Sequence, residues 1–514
     1  MTATARVVLD GRSLTLEDVA AVARGGAEVA LKDGARAAME ASFELNVRLV
    51  ESGTTVYGVT TGVGDSVGVR VARERARALQ EALIRLNGCG TGPELPEEQA
   101  RAVVLARANC LARGASAVRP LIVERMLTLL TSGWAPVIPE QGSVGASGDL
   151  VPSSYIGAVL MGEREVRRDG VTRPAADVWR ELGLEPVRLE PKEGLAILNG
   201  TCLMTGVAAL AVLDAERLAR LADLCTAMIC EALTAVGGPF HPFIADVKPH
   251  PGQACSAERV RSLLEGSRLV IAYDDAVANQ QRIQDSYSVR CAPQCVGALY
   301  DAVAWCRQWV ERELNSANDN PLYDPSEQRV HSGGNFSGFH IALAMDALKV
   351  ACASMADLVD RQFELIVDEK FNAGLTPNLT ARLPADDPGF GVQHGFKSPQ
   401  IALSSLAAEA LGRCMPLSAF SRSTEAHNQD KVSMGAAAAR AARDVIELAE
   451  RCCAIHLLGA CQAADLRGGP ELLGDATRAA YEKVRAVSPF VERDRALQED
   501  IQAVARLIRA GDLA

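Results

Sequence analysis

Aromatic residues make up only 4% of this 514-residue chain, while alanine is abundant. That balance suits long packed helices better than sheets, whose strands favour aromatic and β-branched side chains. Basic blocks are scarce too. With 53 Lys and Arg against 64 Asp and Glu, the formal net charge is −11, and no Lys/Arg run is long enough to reverse it locally. The chain therefore lacks the electrostatic footprint of a nucleic-acid or anionic-membrane binder, and a small-molecule partner fits better. The first residues, MTATARVVLDGRS, carry Arg6 and Asp10 and no long apolar run. They read as neither secretory signal nor membrane span, so the expected location is cytoplasmic. No CxxC, HExxH or paired Cys/His spacing occurs, and no metal site is expected. The 14 cysteines are scattered, many inside apolar runs such as DLCTAMICEAL, and read as buried thiols.

What the chain does contain is 48% hydrophobic residues, enough for a large core. Residues 201–236 are apolar nearly all round and stop at Gly237, Gly238 and Pro239, as a core strut would. Comparable blocks run through 290–316, 339–371 and 430–464, and together they predict an all-α bundle of long helices. No repeat or low-complexity linker interrupts it. The expected division is an N-terminal region 1–200, a central bundle 201–465 and a C-terminal helical segment 466–514. In the last of these, SPFVERDRALQEDIQAVARLIRAGD reads as a Ser-capped turn before an amphipathic helix packed on the bundle.

Between the struts lie short polar segments: YGVTTGVG at 57–64, GSVGASGDL at 142–150, LNGT at 198–201, QDSYSVRCAPQ at 284–294, SANDNPL at 316–322, HSGGNF at 331–336 and STEAHNQD at 423–430. Such strut-end segments can converge on one pocket. GSVGASGDL is the most unusual. As a phosphate loop it fails, because Asp149 stands where a lysine is wanted. As a dinucleotide loop it offers GxxGxxG after a proline-broken run. Two readings stay open: a Gly/Ser loop leading into an Asp-capped helix, or a self-modifying tripeptide. In the second, a bend at Gly148 brings its nitrogen to the Ala146 carbonyl carbon. Cyclisation with loss of water, including the Ser147 hydroxyl, then leaves an electrophilic methylidene on an imidazolone.

The set YGVTTGVG, GSVGASGDL, LNGT, YSVRCAPQ, SANDNPL, GGNF and NQDKVSMG, in that order along the chain, resembles the histidine, phenylalanine and tyrosine ammonia-lyase superfamily over about residues 10–500. The resemblance is to phenylalanine ammonia-lyase-like and aminomutase-like members in particular. It implies a fumarase/aspartase-like all-α fold and a homotetramer with shared active sites. It also implies a 4-methylidene-imidazol-5-one (MIO) group formed autocatalytically from Ala146-Ser147-Gly148, with no metal. By the same resemblance, Tyr57 is the base that takes a β-proton, and Asn199 and Tyr287 complete the catalytic set. Arg290 grips the substrate carboxylate, for which a guanidinium fork is well shaped. Gln284 and Asn335 orient it, Phe336 packs on the ring, and Lys397 and Glu425 lie near the amine. Leu86 and Asn87 fall at the selectivity pair and match no standard version of it. Apolar Leu86 offers a tyrosine hydroxyl no partner. Gln429 replaces a glutamate of histidine lyases, and QHGFKSPQ resembles the GFKG segment of phenylalanine lyases. The activity implied is an ammonia-lyase acting on phenylalanine or a ring-substituted analogue to give a cinnamate-type product. Alternatives are an MIO-dependent 2,3-aminomutase, a histidine or tyrosine ammonia-lyase, and an inactive helical scaffold.

Overall fold

A computed structural model describes residues 6–278 and 284–513. Its longest elements are four helices, Cys202–Ala232, Ala292–Leu314, Phe339–Val367 and Gly435–Arg467; the first three lie inside blocks that the apolar pattern marks as struts, and the fourth runs three residues past the end of its block. The reason shows in the first. Every residue from 202 to 212 is buried, so a helix apolar on all faces is a helix with no solvent face. It closes at Ala232 rather than at Gly237. Thr234 takes φ +48°, Ala235 N–H turns back to the Cys230 carbonyl at 2.8 Å, and Arg467 Nε caps the Ala232 carbonyl at 2.8 Å.

The chain divides into two compact units. The first comprises Met1–Leu213, Cys306–Asp346 and Pro416–Ala441; the second comprises Asp214–Trp305, Ala347–Met415 and Ala442–Ala514. In the first unit, helix Glu97–Ala112 is buried from residue 102 onward and packs against Leu16–Ala23 and Pro120–Thr131. Small sheets surround it. Arg6–Leu9 pairs in parallel with Glu28–Leu31, and Leu322–Asp324 forms a hairpin with Arg329–His331.

Two buried ion pairs fix the short helix Glu193–Leu198 in this unit. Lys192 meets Asp319 at 2.7 Å with both side chains fully buried, and the Arg119 fork holds Glu193 at 2.8 and 2.7 Å. Asp319 also accepts from Ser116 Oγ at 2.8 Å, which satisfies a charge that burial would otherwise penalise heavily. The residue that follows this helix is Asn199.

In the second unit, Asp475–Val487 and Gln498–Ala510 are the last two helices. Ser488 does not cap the terminal helix. It closes the preceding one, its N–H bonded to the Val484 carbonyl, and Leu497 occupies the N-cap of the terminal helix. The ten residues 488–497 separate the two, and Val504 and Ile508 bury the apolar stripe of the last helix.

Candidate active site

The GSVGASGDL loop leads into helix Leu150–Leu160 at Asp149, yet the Asp149 side chain makes no cap there. Its carboxylate instead accepts from Met204 N–H at 2.9 Å, in the first turn of Cys202–Ala232, and from Ser143 Oγ at 2.9 Å. The Asp-capped-helix reading of this loop is therefore wrong: the aspartate ties the loop to a different helix. Burial pushes its pKa up to about 6, against the lowering effect of those donors.

The loop is also stitched to LNGT. Asp149 N–H donates to Gly200 O at 2.7 Å, and Gly200 N–H donates to Ser147 O at 3.2 Å. Gly148 has φ +74°, and a Cβ there would lie 2.0 Å from Gly200 O, so no side chain fits. Asn199 Nδ2 adds a second hydrogen bond to Ser147 O at 2.7 Å. One carbonyl thus takes two donors. Asn199 Oδ1, buried, has no partner among the described residues.

A cavity of about 370 Å³ opens in front of this loop, and Tyr57, Asn87, Ala146, Ser147, Asn199, Phe336, Glu425 and Gln429 all line it. The Tyr57 loop is set by Gln80, a buried residue of helix Ala76–Leu86, which donates to Gly58 O and accepts from Leu195 N–H, both at 3.0 Å. Tyr57 Oη accepts from Gly64 N–H at 2.8 Å. Burial nevertheless raises its pKa, the Gly64 donor opposes the rise, and the Glu425 charge adds to it. Glu425 is held by Asn428 Nδ2 at 2.8 Å, and Gln429 Nε2 reaches Ser147 Oγ at 3.2 Å. Glu425, Ala426 and His427 have φ of 52°, 52° and 66°, three consecutive L-residues in the left-handed region. Such a turn is strained, and here its first residue, Glu425, stands on the cavity wall.

The aromatic amino acid lyase profile matches residues 14–486. A histidine ammonia-lyase from Anaeromyxobacter dehalogenans is 41% identical over 514 residues, covering 99% of both chains. A tyrosine ammonia-lyase from Cupriavidus metallidurans is 39% identical, covering 98% of this chain and 96% of its own. Among solved structures, a tyrosine aminomutase from Streptomyces globisporus superposes with a TM-score of 0.94 at 37% identity, covering 99% of this chain and 97% of that one. The chain belongs to the aromatic amino acid lyase family.

The lyase is thus a carbon–nitrogen lyase with the all-α fold of its relatives. The prosthetic group of such enzymes needs a tight bend and a carbonyl that can be polarised. The loop has both, in the left-handed Gly148 and the doubly hydrogen-bonded Ser147 oxygen. Ala146-Ser147-Gly148 fits the group.

Not every expected site residue lies on the cavity wall. Leu86 is 73% exposed and outside it, because helix Ala76–Leu86 ends there and Asn87, at the C-cap, is the residue that faces in. Asn335 is exposed and spends its amide on the Ala317 carbonyl at 3.1 Å, so it braces the SANDNPL segment. Gln284, Tyr287, Arg290 and Lys397 belong to the second unit. There Tyr287 is 72% exposed, Gln284 and Lys397 are exposed, and Arg290 stacks on the Tyr287 ring at 4.6 Å. Conversely, Gln80, Asn320, Asn428 and Lys431 serve the site without having been singled out. Asn320 and Asn428 sit in polar segments already marked, whereas Gln80 hides in an ordinary amphipathic helix.

Proposed function

We propose that this lyase eliminates ammonia from an aromatic α-amino acid whose ring carries a hydrogen-bond donor, such as the phenol of tyrosine or the imidazole of histidine, giving the trans-arylacrylate. The observation carrying the ring assignment is at Asn87. Its Nδ2 donates to Leu83 O at 2.9 Å, which leaves Oδ1 as the side-chain acceptor of a residue that lines the cavity. Phenylalanine, favoured when Leu86 stands for the pair, has nothing to give that oxygen.

The MIO group formed from Ala146-Ser147-Gly148 supplies an electrophilic carbon that no ordinary side chain offers. Around it the protein's own groups divide the work. Glu425 holds the substrate ammonium. Tyr57 Oη takes the β-proton. In the empty cavity burial and Glu425 keep it a phenol; an ammonium beside Glu425 cancels the opposing charge, and the Gly64 N–H remains to steady the phenolate. Phe336 packs on the ring. Gln284, Tyr287, Arg290 and Lys397 contribute from a neighbouring copy in a homotetramer, with Arg290 on the substrate carboxylate.

The likeness to a tyrosine aminomutase favours one second reading, in which ammonia returns to the β-carbon of the same substrate class. Product analysis on histidine, tyrosine and phenylalanine tests both. An arylacrylate with free ammonium supports the lyase, a β-amino acid supports the mutase, and turnover of phenylalanine alone overturns the ring assignment. In the same experiment the mass of the intact chain is expected to fall short by two waters. Ser147→Ala should abolish both the deficit and turnover while the circular dichroism is unchanged; an active Ser147→Ala enzyme would refute the assignment.

A further inference from the structure

Arg107 is fully buried in helix Glu97–Ala112. A guanidinium stays charged there at any ordinary pH, and taking it out of water costs several kcal/mol. Among the described residues no carboxylate forms an ion pair with it, and the nearby Asp319 is engaged by Lys192 and Ser116. Its Nη1 donates to two backbone carbonyls, Asn199 O at 3.0 Å and Ala196 O at 3.4 Å, and more weakly to Cys110 Sγ at 3.6 Å, while Nε and Nη2 have no partner among the described residues. The approach depends on Gly200, where a Cβ would lie 2.5 Å from Arg107 Nη2 and 2.3 Å from Asn318 Oδ1.

The carbonyl that Arg107 engages belongs to the Asn199–Gly200 peptide, and the N–H of that same peptide donates to Ser147 O. A hydrogen bond to an amide oxygen strengthens the donor at its nitrogen, because both draw on one resonance. The chain of contacts is therefore guanidinium to Asn199 C=O, then Gly200 N–H to Ser147 C=O. We infer that Arg107 is a positioning residue for the electrophile: through the Asn199–Gly200 peptide it places and polarises the donor on the Ser147 carbonyl. This rests on the function proposed above. The charge is fixed before substrate arrives, in a buried setting where a preoriented dipole acts most strongly. It also explains why a cation with no ion-pair partner among the described residues is retained beside that peptide.

The test uses Arg107→Gln and Arg107→Lys in the full-length protein, with circular dichroism and thermal unfolding as the check on fold. Two readouts besides turnover are the intact mass and the rate at which borohydride consumes the near-ultraviolet absorbance of the MIO group. Arg107→Gln is expected to show an incomplete two-water deficit and, in the dehydrated fraction, a borohydride rate and kcat lower by about tenfold or more, with KM little changed. Arg107→Lys, which keeps the charge, should recover part of the rate. A wild-type mass deficit together with a wild-type borohydride rate in a folded Arg107→Gln protein would overturn the inference. So would loss of fold in both variants, which assigns Arg107 to folding alone. Absence of the deficit in the unmutated protein would instead sink the proposed function, so the two failures are distinguishable.

Discussion

At the scale of single residues, Asn87 shows how far a motif can be read. Its place follows from the family resemblance, which puts the selectivity pair at Leu86 and Asn87, but which member of that pair faces the cavity depends on where the helix stops. The stop comes from a C-cap at Asn87, whose N–H bonds back to Leu83 and Arg85 carbonyls and whose amide returns to Leu83. Asn87→Leu removes the free acceptor at nearly constant size. It should lower kcat/KM for tyrosine or histidine relative to phenylalanine by about tenfold, the worth of one hydrogen bond of about 1 to 1.5 kcal/mol. Competition assays on mixed substrates measure this directly, and an unchanged ratio would show that Oδ1 does not read the ring. The Ser147 loop stood out because a bend that tight restricts residue type: Gly148, at φ +74°, has no room for a Cβ. The role of Asp149 was not legible, since a carboxylate can cap its own helix or bond a distant one, and only the fold chooses.

At the scale of elements, the four struts were legible because buried helices must be apolar on every face, which leaves a long unmistakable run. The small sheets were not. Thr91–Glu94 is exposed along its whole length and contains glycine and proline, so neither alternation nor propensity marks it as a strand. A second lesson lies in helix Gly435–Arg467, where His456 is fully buried against the Phe363 ring, 6.1 Å between centroids, with neither ring nitrogen partnered among the described residues. Burial lowers its pKa from 6.5 to about 3. The imidazole is therefore neutral in the fold but protonates in the unfolded chain below pH 6.5, so stability is full above that value and falls as pH drops toward 3. At pH 5 the loss is about 2 kcal/mol. His456→Leu, close in volume, removes this titration and an unsatisfied polar group. Its Tm should exceed that of the unmutated protein, by more at pH 5 than at pH 8; an equal difference at both would mean that His456 is not buried neutral.

At the scale of the whole molecule, the division of site residues between the two units decides what assembly has to do. Tyr57, Ser147, Asn199 and Glu425 line one cavity in the first unit, whereas Arg290 and Tyr287 stand in the second, with the Tyr287 ring 72% exposed. An exposed aromatic carrying a stacked arginine is costly to leave in water and apt for a contact between copies. If that contact brings Arg290 to the substrate of a neighbour, two defective chains can repair one another. Tyr57→Phe and Arg290→Ala should each lose nearly all activity, the first in the proton step and the second in carboxylate binding. Unfolded together, mixed one to one and refolded, they should form some sites with an intact Tyr57 from one chain and an intact Arg290 from the other, about a quarter of sites on random assortment. Activity well above the sum of the separately refolded variants, in a fraction sized as a tetramer by light scattering, is the expected result. Strictly additive activity in mixed assemblies would mean that each chain completes its own site, and the proposed sharing of sites between copies would fall.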